Sequence, residues 1–452
     1  MNNGLLPTYL KAAMPNPPEN RAPWYKNTAP SYAGIFLSVP FMAGMAAALQ
    51  YGSLWAAVVG LFLGALFCFV LYYIPAILGL TTGMPLYVVG SSTFGTHGGI
   101  LMPGLLMGVL QVGWHAVFTF SAASFFMSAI GSDAAPGSAS FWLVCTIWGL
   151  IFAFVGAVGI KWLGWLSSWL PVFPLLIIII AGLSNIGGIS DFNASISIPP
   201  TASAVIPLMG LGAFAALQST AGFFATAGAA GADFAMNSRS KKDVVLGGLL
   251  GITIAALVAG FFALITIAGA IGRNPQIATL PGIEPFIASI SEVGGIVSKV
   301  MFWVFVIACI CPTGFCAFLA ANSFSTMFPK LPRKGLAMGA GVIGVILAAT
   351  GVANNLVAFF LIIGASFGPI IGAMTADYLR NGKWSGPRKG INLAGYIAWA
   401  VGFLVGILGK IPAIGFSYGL ATLMSFIVGF AVYLILAELG LEPETVDLSP
   451  NQ

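Results

Sequence analysis

The sequence predicts an all-α polytopic membrane protein with about twelve transmembrane helices. Composition, run length and the placement of the basic residues carry this expectation. Of the 452 residues, 59% are hydrophobic and only 6% are charged. A helix needs about 20 mostly apolar residues to cross a bilayer, and such stretches follow one another along most of the chain. They are long and show no period-2 alternation, which predicts helices rather than barrel strands.

In chain order the predicted spans are 31–49, 52–77, 99–130, 139–158, 162–184, 203–229, 244–270, 296–328, 336–352, 355–378, 391–410 and 415–437. An even number of spans puts both termini on one side. Counted that way, the basic residues sort by side. Lys11, Arg21 and Lys26 precede the first span, and Lys161 follows the fourth. Arg239, Lys241 and Lys242 follow the sixth, and Lys330, Arg333 and Lys334 the eighth. Arg380, Lys383, Arg388 and Lys389 follow the tenth. Of the 17 basic residues, the exceptions are Arg273, Lys299 and Lys410. The positive-inside rule then predicts cytoplasmic termini. The net charge of +5 reports topology and not nucleic-acid binding, because the basic residues are dispersed over loops.

The tail 1–30 is polar and proline-bearing, with no apolar core, so it does not read as a cleaved signal peptide. The tail 438–452 is short and acidic. Both are expected to be flexible ends. Between them, 31–437 is expected to form a single transporter domain. Cys68, Cys145, Cys309, Cys311 and Cys316 all fall inside predicted spans and read as packing residues rather than metal ligands or a disulfide.

No carboxylate lies in the middle of a predicted span; Asp233 and Asp377 sit at the cytoplasmic ends of spans 6 and 10. An intramembrane Asp or Glu is by default a functional site. Its absence points to a neutral solute rather than a cation neutralised by protein charge. It also argues against a membrane enzyme, since the spans hold no cluster of His, Cys, Asp and Glu.

The 58 glycines mostly read as close helix packing. Two spans are more irregular: span 1 with Ser38, Pro40 and Gly44, and span 6 with Ser219, Thr220, Gly222, Thr226, Gly228 and Gly231. Interrupted helices at matching positions in two halves mark transporter binding sites. Spans 1 and 6 are five apart, and an odd offset reverses topology. Inverted repeats at about 31–185 and 203–379 are therefore expected, with 391–437 as two added helices. The loop after span 2 (79–98) has a counterpart after span 7 (271–295). Both are long and carry Gly and Pro.

In span 3, Gln111 and Trp114 are three apart and share a helix face. An amide beside an indole suits a flat heteroaromatic ligand, which stacks on the ring and pairs with the amide. The plainer alternative is that Gln111 satisfies a neighbouring helix and Trp114 packs against lipid. Phe223 and Phe224, beside a break expected at Gly222, either cover a ligand or simply pack. His115, one helical step from Trp114, is either a proton-coupling group or a satisfied interhelical histidine.

Thr82-Gly83-Met84-Pro85-Leu86, Ser92-Thr93-Phe94-Gly95 and Gln111-Val112-Gly113-Trp114, in that order and spacing, resemble the first nucleobase:cation symporter family. The likeness is greatest to its bacterial cytosine permease-like branch. The segments Gly222 to Phe234 and Cys316 to Phe324 are similar in the same register. The resemblance runs over about 31–379. It implies a LeuT-type fold, five-plus-five inverted repeats with two extra helices, and alternating access around a site between spans 1, 3, 6 and 8. It further implies that Gln111 hydrogen-bonds a base, that Trp114 stacks on it and that Phe224 closes the other face. Phe223 stands where cytosine permeases carry a small hydroxyl residue. For a coupling Na+, the resemblance implies Gly34 and Ser38 in span 1 and hydroxyls in span 8. There this chain has Ala308, Cys311 and Pro312, leaving Thr313 as the oxygen donor. Relatives often carry arginine where Met236 follows Asp233, so Arg239 is expected to take over that pairing.

The sequence therefore reads as a secondary transporter of the cell membrane importing a neutral planar nitrogenous ring, a pyrimidine or purine base such as cytosine. The coupling ion is Na+ or H+, and no cofactor is expected. A thiamine precursor, allantoin or hydantoin is the alternative substrate, and a passive facilitator or channel the alternative mechanism.

Overall fold

The computed structural model describes residues 6–11, 13–50, 53–192, 208–410 and 420–448, and a helix occupies each of the twelve apolar stretches. In order they are α1 in two pieces, Thr28–Phe36 and Val39–Leu49; α2, Leu54–Thr82; α3, Ile100–Ile130; and α4, Ala139–Val158. Then come α5, Lys161–Asp191; α6, Leu208–Ala229; α7, Lys241–Arg273; and α8, Gly295–Met327. The last four are α9, Arg333–Ala349; α10, Leu356–Asn381; α11, Leu393–Ile407; and α12, Ala421–Glu438. Among the described residues, eight are long and apolar enough to cross a membrane, and the bent α1 makes a ninth; α9 and α11 are shorter, at 17 and 15 residues. Among the described residues there is no β-sheet, only two isolated bridges, Ala22 with Ser238 and Arg388 with Thr445.

The irregularity expected in span 1 is present. Ser38 is extended (φ −92°, ψ 149°), Pro40 sits in the first turn of the second piece, and the two pieces meet at 50°. Proline lacks the N–H that would continue the first piece. The two long loops expected to correspond both carry short helices. Leu86–Val89 and Ser91–Phe94 follow α2; Pro275–Thr279 and Glu284–Ser291 follow α7.

Span 6 differs from expectation. The helix runs through Gly222 unbroken and is interrupted only at Ala230, before the short helix Gly231–Ala235. Gly222 is there for contact: a methyl on it would lie 2.5 Å from the Phe360 carbonyl oxygen of α10. The same device seats α2 on α6. A methyl at Gly60 would strike the Ala213 backbone, and one at Gly79 that of Ala232. Small residues of this kind let helix backbones approach in lipid.

Two helix groups result. One gathers α1, α2, α6 and α7; the other gathers α3, α4, α8 and α9, with α5 against α7 and α8 and with α10–α12 packed together beside α6. All five cysteines are buried and free.

The described parts of both tails, 6–11, 13–30 and 438–448, are docked, contrary to the expectation of flexible ends. The N-terminal segment crosses the ends of α2, α6 and α7. The Asn16 N–H donates to Gly83 O (2.8 Å), Arg21 Nη1 to Leu80 O (3.0 Å), the Ala22 N–H to Asn237 O (2.7 Å) and the Trp24 N–H to Asp243 Oδ1 (3.0 Å). Tyr9 Oη donates to Thr96 O (2.8 Å). The C-terminal segment lies along the loop after α10, where the Lys389 N–H donates to Glu444 O (2.9 Å) and the Val446 N–H to Pro387 O (2.7 Å). Most of the acceptors are backbone carbonyls, and those of Leu80 and Gly83 lie at the end of α2, where the helix's own ladder leaves carbonyls over.

Candidate functional site

Trp114 and Phe223 come together where the two helix groups meet. Trp114 of α3 is buried, and its Nε1–H donates to Thr226 Oγ1 of α6 (3.2 Å). Four phenyl rings surround the indole: Phe359 at 5.0 Å, Phe223 at 5.2 Å, Phe118 at 5.8 Å and Phe360 at 5.9 Å between centroids. Phe223 and Phe359 stand edge-on at 83° and 74°, which matches the ring quadrupole preference. Phe223 in turn touches Phe36 and Phe41 of α1 at 5.7 and 5.1 Å. Helices α1, α3, α6 and α10 thus contribute one continuous aromatic cluster.

Phe224 is placed differently. It stacks on Phe36 (5.2 Å, 15°) and tilts against Tyr32, and its ring contacts do not include Trp114. Successive residues on a helix point about 100° apart, so only one of the two phenylalanines can face the indole, and that one is Phe223. Gln111 is buried one turn before Trp114, and its Nε2 donates to Met107 Sδ at 3.5 Å. A thioether is a weak acceptor, so the amide keeps most of its hydrogen-bonding capacity.

The residues expected around a cation differ in how far they are already engaged. The Thr313 hydroxyl donates to Cys309 O (2.5 Å) and accepts from Trp148 Nε1 of α4 (3.3 Å). Gly34 faces Pro171, where a methyl would lie 3.2 Å away. Ser38 Oγ is buried in the break of α1 without a hydrogen-bond partner.

His115 points away from the indole toward α4, α8 and α9. Its Nδ1 bonds Thr313 O (2.9 Å). A carbonyl only accepts, so Nδ1 carries the proton in that bond. Nε2 is buried with no hydrogen-bond partner, and Gly344 is bare where a methyl would meet the imidazole at 2.5 Å.

Arg239 does not pair with Asp233. It lies 3.9 Å from Asp243, one turn along α7. Asp233, beyond the end of α6, accepts from the Leu86 N–H (3.3 Å). Burial raises its carboxyl to about 6, opposed by that N–H bond, which lowers it. Asp377 is the paired carboxylate. Arg388 reaches its Oδ1 at 3.2 Å and Glu442 Oε1 at 2.9 Å, and Thr93 Oγ1 donates to Asp377 Oδ2 (3.1 Å).

A cavity of about 320 Å³ opens on the opposite side from the tails. It is lined by Gly44 and Gln50 of α1, Gly282 of the loop after α7, and Asn354 and Asn355 ahead of α10. Gly44 rests on the Phe360 ring, where a methyl would be 2.6 Å away. One ring therefore separates this cavity from Trp114.

Sequence reasoning missed Thr226 as the residue holding the indole, and missed Phe359 and Phe360. A signal for the pair was present: Phe359-Phe360 in span 10 repeats the Phe223-Phe224 dipeptide of span 6.

A family profile described as permease for cytosine/purines, uracil, thiamine, allantoin matches residues 15–432. A curated cytosine permease from Escherichia coli O157:H7 is 28% identical over 344 residues, covering 74% of this chain and 72% of that protein. Among solved structures, Mhp1 in its inward-facing conformation aligns with a TM-score of 0.73 at 16% identity, over 99% of this chain and 97% of that one. Mhp1, titled a nucleobase-cation-symport-1 family transporter, in a closed conformation with bromovinylhydantoin bound, aligns at 0.71 and 15% identity, over 97% and 95%. A Na+-coupled sialic acid symporter shares the fold at 0.62 and 15% identity, over 95% and 92%.

Proposed function

We propose a substrate and a driving force for a chain that belongs to the nucleobase:cation symporter family, the permeases for cytosine/purines, uracil, thiamine and allantoin. It is a transporter and not an enzyme. Its substrate is a neutral planar nitrogenous ring, a pyrimidine or purine base such as cytosine, imported across the cell membrane by Na+ or H+ symport. The observation that carries this is the Trp114 cluster: an indole ringed by phenyls from α3, α6 and α10, with the loosely held Gln111 amide one turn away. A flat ring gains stacking from such a cluster, and an amide gives its edge one donor and one acceptor. Because the cluster joins the two helix groups, a shift of one group against the other exposes it alternately to either side. The docking of the N-terminal segment and the loops after α2, α6 and α10 on one face, together with the basic residues there, supports cytoplasmic termini.

Equilibrium binding to the purified protein, with a panel of bases, allantoin, hydantoins and thiamine precursors as competitors, tests the substrate. A base should compete best; preference for a hydantoin or a thiamine precursor would replace the reading. Accumulation in proteoliposomes against a concentration gradient, lost when the ion gradient is collapsed, separates symport from passive passage.

Each ion has one supporting observation. Sodium fits the unpartnered Ser38 oxygen at the break of α1, since hard cations take oxygen ligands. A proton fits the unpartnered His115 Nε2. Substrate affinity in sodium against choline at fixed pH decides between them. Tighter binding in sodium, weakened in Ser38→Ala, supports a sodium site by linkage. No sodium effect, with pH-dependent uptake lost in His115→Gln, supports protons.

A further inference from the structure

The charges on the face that carries the tails divide by partner. Arg388 pairs with Asp377 and Glu442, Arg380 with Glu438 and Glu442, and Arg239 with Asp243. Arg21 is bound to backbone carbonyls. Among the described residues no lysine of this face is in an ion pair, and Lys161, Lys330, Arg333 and Lys334 also lie in acid-free stretches of the sequence. The sequence holds no Asp or Glu between Asp133 and Asp191, and none between Glu292 and Asp377. Helices α4, α8 and α9 therefore bring no acid to their ends, and α5 brings only Asp191 at its far end.

These four cations share one corner. Ala157, one turn before Lys161, packs with Ala321 of α8 and with Leu336 and Ala337 of α9. Arg333 lies along α8, its guanidinium 4.5 Å over the Phe318 ring and its Nε bonded to Asn322 Oδ1 (2.7 Å). Lys161, Lys330 and Lys334 are exposed.

The surface around the cations is apolar. Leu163, Leu166 and Leu170 are buried, while Trp162, Trp165 and Trp169 on the opposite side of that segment are exposed. Phe328 and Leu331, flanking Lys330, are exposed at 48% and 51%. Exposed tryptophans beside lysines mark the headgroup level of a bilayer. Lysines in water alone need no such neighbours, and a solvated face of this length ordinarily mixes both signs of charge.

We propose that this corner, at the ends of α4, α5, α8 and α9, binds the headgroup of an anionic phospholipid. The cations meet the phosphate while the tryptophans and Phe328 lie along the upper acyl chains. Basic pockets between helices at the cytoplasmic leaflet select anionic headgroups through charge, with each lysine or arginine contributing about fivefold. The inference rests on the membrane fold and not on the substrate, so it stands or falls apart from the proposed transport reaction.

Native mass spectrometry of the full chain, released from micelles containing equal phosphatidylglycerol and phosphatidylcholine, tests it. The parent should retain phosphatidylglycerol at least about fivefold over phosphatidylcholine. The triple variant Lys161→Gln/Lys330→Gln/Lys334→Gln should bring the ratio near one. Lys241→Gln/Lys242→Gln/Lys383→Gln, which removes the same charge elsewhere on the same face, should leave it unchanged. Should the first triple fail to fold, Lys330→Gln/Lys334→Gln carries the same expectation of a lowered ratio. Equal retention of the two lipids by the parent, or equal loss of preference in both triples, overturns the proposal.

Discussion

Helix α10 carries two clusters built from opposite materials. Near its start, Phe359 and Phe360 lean on Trp114 in a group of rings where the indole N–H donates to Thr226 Oγ1. Near its end, Asp377 is held by Arg388 and Thr93, and Arg388 also takes Glu442 from beyond α12. Pro369 and the glycines Gly364, Gly368 and Gly372 lie between them. Ring contacts are weakly directional and each is worth about 0.5–1.5 kcal/mol beyond burial, so a substrate ring can replace one at little cost. A buried ion cluster is different. Its members are tolerable only together, because any one left alone is an uncompensated charge. The first kind of contact suits a surface that must open. The second suits an anchor.

The comparison breaks most visibly at Arg388. Arg388→Leu leaves Asp377 buried without its cation and should cost about 3–5 kcal/mol, seen as a large drop in thermal unfolding temperature in detergent. Arg380→Ala, at a more exposed pair, should cost about 1 kcal/mol or less. Equal losses from the two would mean that burial does not set the anchor's strength.

The ring cluster is probed next. Trp114→Ala should weaken base binding by roughly 1–3 kcal/mol, while Trp114→Phe should keep part of the stack. Phe223→Ala should weaken binding too. Phe224→Leu should lower unfolding temperature and leave affinity nearly intact, because Phe224 stacks on Phe36 and not on the indole. The reverse order for the two phenylalanines would show that the binding conformation turns α6 relative to this one.

A smaller effect is expected at Gln111. Its protein partner is a thioether, so Gln111→Leu should barely change stability. In a dry site it should leave the base edge unpaired, at about 1–3 kcal/mol, a tenfold or greater loss of affinity. Gln111→Glu should change which bases compete. A Gln111→Leu protein that binds like the parent would make the amide structural.

The smallest effect concerns Asp233, which unlike Asp377 has no arginine. Its carboxyl is raised to about 6 by burial. The folded state therefore favours the protonated form. That contribution is complete below the unfolded value, near 4, and is lost as pH rises through about 6. Unfolding temperature should fall between pH 5 and 7, and Asp233→Asn should flatten that fall. An unchanged slope in the variant would assign the pH response to another group.

The helical class, the stretches that hold the helices, the irregular first span and the meeting of Gln111 and Trp114 on one helix were legible in the sequence. Each depends on properties local to a few turns: hydropathy, helical period and the missing N–H of Pro40. The order and spacing of the motifs in 82–114, together with the segments 222–234 and 316–324, carried the family resemblance. Tertiary structure alone decided which phenylalanine faces the indole, because Phe223 and Phe224 differ only in rotation about α6. It alone decided that Gly222 is a contact and not a break, since the Phe360 carbonyl it accommodates lies on a distant helix. Thr313 looked free for a cation until Trp148 and Cys309 were seen to occupy its hydroxyl. The tails read as loose because they lack apolar period. They are held instead by hydrogen bonds, mostly to backbone carbonyls, and such bonds leave no pattern in the residues that receive them.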